Sequence, residues 1–136
     1  MNCKVEVLKR PNVDEKLAAK LRSLSFSHQG RMCESFRACN KENVVFVVRQ
    51  GEMVLGWALL VKFNVTTPDC MIYVRQSHRR LGIGSTLFRT LKDYALREWS
   101  VRNVDVYPWD ATSSQFYSRQ TASTVQERYH AFTISI

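Results

Sequence analysis

The stretch VRQSHRRLGIGSTLF, running from Val74 to Phe88, places Arg79, Arg80, Gly82 and Gly84 immediately ahead of an apolar pattern with helical spacing. The chain has only 5 glycines, so two in this loop are a local enrichment. Glycine lets backbone N–H groups turn toward one point and lets an anion come close. A helix that begins there adds unsatisfied N–H groups and the positive end of its dipole. Two arginines add full charges. This is the chemistry of phosphate binding, and three motifs compete for it. The P-loop spelling G-x-x-x-x-G-K-[ST] is absent. The dinucleotide fingerprint requires a third glycine where Leu87 stands, and an early strand-helix-strand unit. The remaining pattern, Arg-x-x-Gly-x-Gly, is met by Arg79, Gly82 and Gly84. The plain alternative for the arginine pair is a solvated basic turn.

Other reactive side chains are sparse. Cys3, Cys33, Cys39 and Cys70 form no Cys-x-x-Cys pair, and His28, Cys33 and Cys39 match no common zinc spacing, so no metal is expected. Four scattered thiols, with no apolar signal region in MNCKVEVLKR, point to a reducing, cytoplasmic setting. Two carboxylates, Asp69 and Asp105, lie at or in strand-like segments, and Tyr117 lies in a short helical one.

These groups need elements to position them. CKVEVL alternates as a first strand. Residues 11–26 read as a helix capped by Asn12, with Val13, Leu17, Leu21 and Leu24 on one face. Residues 44–62 read as a hairpin turning at Gln50-Gly51, and Cys70–Val74 as a central strand. The glycine loop then opens an amphipathic helix on which Leu87, Leu91 and Tyr94 or Ala95 share a face. A strand at 103–109, a helix at 110–120 and two last strands complete the order. Residues 27–43 suggest a further short helix and a loop. The expectation is one α+β domain spanning residues 1–136, with a mixed sheet of six to seven strands and about four helices.

Composition sets the outer bounds. The chain has 136 residues, 45% hydrophobic and 24% charged, enough for a core without disulfides. No apolar run reaches the ~18 residues of a membrane span, so no membrane partner is expected. The net charge of +8 favours anionic partners through long-range steering.

The order of elements, and above all Val74, Arg79, Gly82 and Gly84 in the pattern V-x-x-x-x-R-x-x-G-x-G, resemble the GNAT superfamily of acetyl-CoA-dependent N-acetyltransferases. A second likeness is DATSSQFY, where Asp110 takes the place of a frequent family asparagine and Tyr117 that of a tyrosine seven residues on. Thr121-Ala122 stands where relatives often carry Gly-Phe. The resemblance implies that backbone groups of Ile72, Tyr73 and Val74 hold the pantetheine arm in a gap between two splayed strands. It implies that amides of Arg79, Arg80, Leu81, Gly82, Ile83, Gly84 and Ser85 hold the diphosphate, with Arg80 the alternative contact for the adenosine 3′-phosphate. Tyr117 would protonate the leaving thiolate, and a carboxylate, Asp69 or else Asp105, would serve as base. Ser85 and Thr86 could instead simply cap the helix.

The implied reaction transfers acetyl from acetyl-CoA to a primary amine of a protein or small molecule, in a monomer or homodimer. A basic surface favours an acidic acceptor and disfavours polyamines. The competing reading is a catalytically silent module of the same fold that binds an acidic protein or, less favoured, nucleic acid.

Overall fold

The computed structural model describes residues 4–9, 15–24, 43–62, 67–106, 116, 119, 125–128 and 131–135. Strands β1 (Val5–Lys9), β2 (Val44–Gln50), β3 (Met53–Val61), β4 (Asp69–Val74), β5 (Asn103–Val106), β6 (Val125–Arg128) and β7 (Ala131–Ser135) form one mixed sheet in the order β1-β2-β3-β4-β5-β7-β6. Two α-helices are described, α1 (Glu15–Leu24) and α2 (Ile83–Trp99). The further helices expected in residues 27–43 and 110–120 fall outside the described residues, apart from Phe116 and Arg119.

The hairpin is the most regular part. β2 and β3 alternate strictly, and their partners match from Val44↔Leu60 onward until one extra residue, Leu55, enters between Val48↔Gly56 and Arg49↔Val54. Such a bulge turns two successive side chains toward one face. Arg75 fastens it: its N–H donates to the Leu55 carbonyl at 2.7 Å and its Nε to the Val54 carbonyl at 2.9 Å.

The alternation of β2, β3 and β4 divides the core in two. On one face Phe46, Ala58, Leu60, Cys70 and Ile72 pack against Ile83, Leu87, Phe88 and Leu91 of α2. On the other, Val45, Val47, Trp57, Leu59 and Met71 pack against Leu17 and Leu21 of α1. The helical spacings read from the sequence thus supply both covers. Trp57 is wholly buried in the second layer. Trp99 instead packs edge-on to Tyr94 at 5.9 Å. Among the described residues no helix is long and apolar enough to cross a membrane.

Gly56 decides how closely α2 approaches. A Cβ there would stand 3.0 Å from the Tyr73 carbonyl and 3.1 Å from the Ile83 side chain. Its missing side chain seats the first turn of α2 on the bulge, next to the end of β4.

Candidate active site

The site grows from the end of β4. After Val74 the chain makes one 3-10 turn, Gln76–His78, and then changes direction through two left-handed residues, Arg80 (φ 66°) and Gly82 (φ 83°). Glycine adopts that conformation freely, whereas Arg80 adopts it at a cost of roughly 1–2 kcal/mol. Gly82 is also the N-cap of α2, which starts at Ile83, and no side chain caps it. The first intrahelical bond runs from the Thr86 N–H to the Gly82 carbonyl at 3.0 Å. Among the described residues, the N–H groups of Arg80, Leu81, Gly82, Ile83 and Gly84 donate to no protein acceptor. Successive amides with left-handed residues between them form an anion-binding concavity. No acidic residue occupies the first turn of α2, so nothing there opposes a negative ligand.

Several expected residues also make contacts within the chain. The Arg79 N–H closes the 3-10 turn on the Gln76 carbonyl at 3.4 Å, so the run of open amides begins at Arg80. The Arg79 side chain folds back: Nε donates to the Val74 carbonyl at 3.1 Å, and the guanidinium carbon lies 5.7 Å from the centre of the Tyr73 ring. It therefore holds one acceptor assigned to the pantetheine arm. Thr86 does not cap the helix; its hydroxyl donates to the Gly82 carbonyl at 2.9 Å.

Gly84 serves packing. A Cβ on it would meet the Phe116 ring at 3.1 Å and Val74 at 3.6 Å, whereas one on Gly82 would meet nothing within 4 Å. Phe116 is itself pinned edge-on against Phe88, with ring centres 6.3 Å apart. Tyr117 and Asp110 lie outside the described residues.

β4 matches β3 over all six of its residues, from Asp69↔Val61 to Val74↔Gly56. With β5, its parallel neighbour, the described register runs Asp69↔Asp105 and Cys70↔Val106, and the chain beyond Val106 lies outside the described residues. The Asp105 N–H donates to the Pro68 carbonyl at 2.9 Å and joins the start of that register.

The same register brings together the two carboxylates named from the sequence. Val104 and Val106 face α2, so Asp105 faces the other way, as does Asp69 beside α2-facing Cys70. Both are half-buried. Strand β4 begins at Asp69 itself, so the carboxylate stands on the sheet and not in the preceding loop. Cys70 is fully buried; burial, and secondarily the Asp69 charge, push its thiol far above the ordinary cysteine range. No group of three or more His, Cys, Asp or Glu among the described residues could hold a metal.

A model of the acetyltransferase (GNAT) family matches residues 13–121. The chain belongs to the GNAT acetyltransferase family. Solved structures extend the likeness across the fold. Escherichia coli ElaA superposes with a TM-score of 0.72 at 13% identity, covering 98% of each chain. An aminoglycoside 6′-N-acetyltransferase complexed with coenzyme A gives 0.67 at 12% identity, over 95% of this chain and 93% of that one. Campylobacter jejuni N-acetyltransferase PseH in complex with acetyl coenzyme A gives 0.63 at 13% identity, covering 98% of each. At these identities the likeness is one of fold. No curated protein matches the chain in sequence. Membership accounts for the glycine loop, since Val74, Arg79, Gly82 and Gly84 of the GNAT pattern are the residues that end β4 and start α2.

Two structural residues escaped the sequence reading. Gly56 sits in an otherwise ordinary strand pattern, and only the packing of α2 reveals its need for no side chain. Arg75, four residues before Arg79 of the basic turn, clamps the bulge. A lone glycine inside a strand was the available signal for a bulge or a close approach.

Proposed function

We propose that this GNAT protein is an N-acetyltransferase that moves an acetyl group from acetyl-CoA to a primary amine by direct attack within a ternary complex. The observation that carries this reading is the row of amides from Arg80 to Gly84, open at the start of α2 and shaped by left-handed Gly82. Those residues fit a diphosphate: donors converge, the helix end is positive, and no acid intervenes. The coenzyme A and acetyl-CoA complexes of two structural relatives support the same assignment.

Acetyl-CoA, when bound, supplies a thioester carbonyl open to a nucleophile. This chain's residues do the rest. Ile72, Tyr73 and Val74 form the C-terminal half of β4, where main-chain groups orient the pantetheine arm and one N–H stabilises the charge that builds on the carbonyl oxygen. Asp69 is the base. An amine with a pKa of ~10.4 is about 3.4 units from deprotonation at neutral pH, a penalty of roughly 4.6 kcal/mol unless its proton is taken. Asp69 and Ile72 are three residues apart, about 10 Å along an extended strand, so Asp69 receives the proton through water. Tyr117 protonates the leaving thiolate. Cys70 is a poor candidate for an acetylated intermediate, because its buried thiol resists ionisation. This supports direct transfer.

Calorimetric titration with acetyl-CoA tests the reading. Saturable binding that weakens about tenfold in Gly82→Val is expected, since a β-branched residue resists φ near 83°. Absence of binding by the unaltered protein would refute it.

A further inference from the structure

On the α1 side of the sheet, α1, the hairpin turn and the end of β4 enclose an open groove of about 790 Å³. Its polar lining comes from Lys20, Glu52, Tyr73, Arg75, Gln76 and Ser77. Tyr73 belongs at once to this groove and to the strand segment assigned to the thioester end of the cofactor. The groove therefore reaches the reacting region from the face opposite α2.

The charge in the groove is mainly positive. Lys20 and Arg75 line it, and Arg79 lies over the Tyr73 ring. The one acid among the described lining residues, Glu52, stands on the hairpin turn with its side chain 88% exposed, and its carboxylate reaches across to Lys20 at 3.1 Å. Lys20, then Lys16 and Arg49, hold that carboxyl below the usual range. Glu52 thus shows what the groove prefers: a carboxylate delivered to Lys20 from across the opening. An ion pair this exposed is held weakly, so a carboxylate that also contacts the walls can take its place.

Resting on the acetyltransferase reading, we propose that the groove receives a carboxylate carried by the acceptor, which displaces Glu52 from Lys20. The substrate class is then an amine on a carboxylate-bearing molecule. Met53, Val54 and Ala19 give the acceptor an apolar wall beside that charge.

Amide NMR titration of the acetyl-CoA-saturated protein tests this. One arm adds a short peptide with a lysine flanked by aspartates, a second the same peptide with arginines for aspartates, a third free glutamate. Saturable shifts of the Lys20, Tyr73, Gln76 and Ser77 amides are expected with a carboxylate ligand and not with the arginine peptide. A response to glutamate would identify a small acceptor; a response to the acidic peptide alone would identify a peptide. Lys20→Glu should weaken the effect about tenfold by putting like charges together. Glu52→Gln, which removes the internal competitor, should strengthen it about threefold, the worth of a weak surface pair. Equal shifts with both peptides, no groove shifts at millimolar ligand, or variants that change nothing would overturn the proposal. The acetyl-CoA titration that precedes the ligand arms reports separately on the loop amides: shifts at residues 80–84 leave the acetyltransferase reading standing even if the groove stays silent.

Discussion

The two ends of β4 are built on opposite principles. At its C-terminal end the proposed diphosphate site is local: Arg80 to Gly84 are neighbours in sequence, their main-chain N–H groups would make the contacts, and the loop turns through left-handed Arg80 and Gly82. At its N-terminal end the candidate base depends on distant chain. Asp69 acquires Asp105 as a neighbour through the parallel register of β4 and β5. A local backbone site can be read from a few letters. A side-chain site assembled across strands needs the sheet.

The largest expected effect comes from the N-terminal end. Asp69→Asn should lower kcat about a hundredfold, the scale of a lost general base, and leave acetyl-CoA affinity within about twofold. Asp105→Asn should cost less. Steady-state rates of acetyl transfer to a saturating amine separate the two, and equal losses would mean that the pair works jointly.

At the other end the two loop glycines should part company. Gly82→Val should weaken acetyl-CoA binding as stated above while the fold holds. Gly84→Ala should act through stability, by about 1–2 kcal/mol, because a Cβ there meets the Phe116 ring at 3.1 Å. Urea unfolding measures the second effect and calorimetry the first. If Gly84→Ala instead destroys binding in a stable protein, then Gly84 serves anion approach after all.

Gly56→Ala tests the link between the sheet and the loop. The added methyl meets the Tyr73 carbonyl and the first turn of α2. A loss of about 1–3 kcal/mol in thermal or urea unfolding is expected.

The smallest effect lies far from the site. Glu6 and Arg49 join β1 to β2 through a two-point ion pair of 2.6 and 2.7 Å. The Arg49 hydrogen bond draws the Glu6 carboxyl below the usual carboxylate range. A carboxyl lowered on folding stabilises above its unfolded value, and that stability fades as pH falls through the lower folded value. Arg49→Ala should therefore cost about 0.5 kcal/mol at neutral pH and nearly nothing once Glu6 is protonated. Urea midpoints at the two pH values check it; a cost that persists in acid would assign the effect to lost packing.

Much of this was legible because it is periodic or local. Leu17 and Leu21, and Leu87, Leu91 and Ala95, announce helices that do cover the sheet. The β-branched run at 44–48 and the Gln50-Gly51 turn announce the hairpin. The phosphate loop was visible because two glycines and two arginines are rare neighbours.

What stayed hidden was contact. Glycine looks the same in sequence whether it supplies a positive φ, as Gly82 does, or room for a ring, as Gly84 does. Arg79 reads as a phosphate ligand, and nothing in its spacing announces the hydrogen bond its side chain makes to the Val74 carbonyl. The groove under Tyr73 joins residues 19–20, 52–54 and 73–77, which no local pattern connects.

The account rests most heavily on the amides of residues 80–84, and a crystal structure with acetyl-CoA tests them directly. It predicts diphosphate oxygens within hydrogen-bond distance of the Leu81, Gly82, Ile83 and Gly84 N–H groups, with the thiol arm lying between β4 and the chain after β5. Cofactor bound elsewhere, or β4 and β5 paired continuously through residues 71–74, would contradict it.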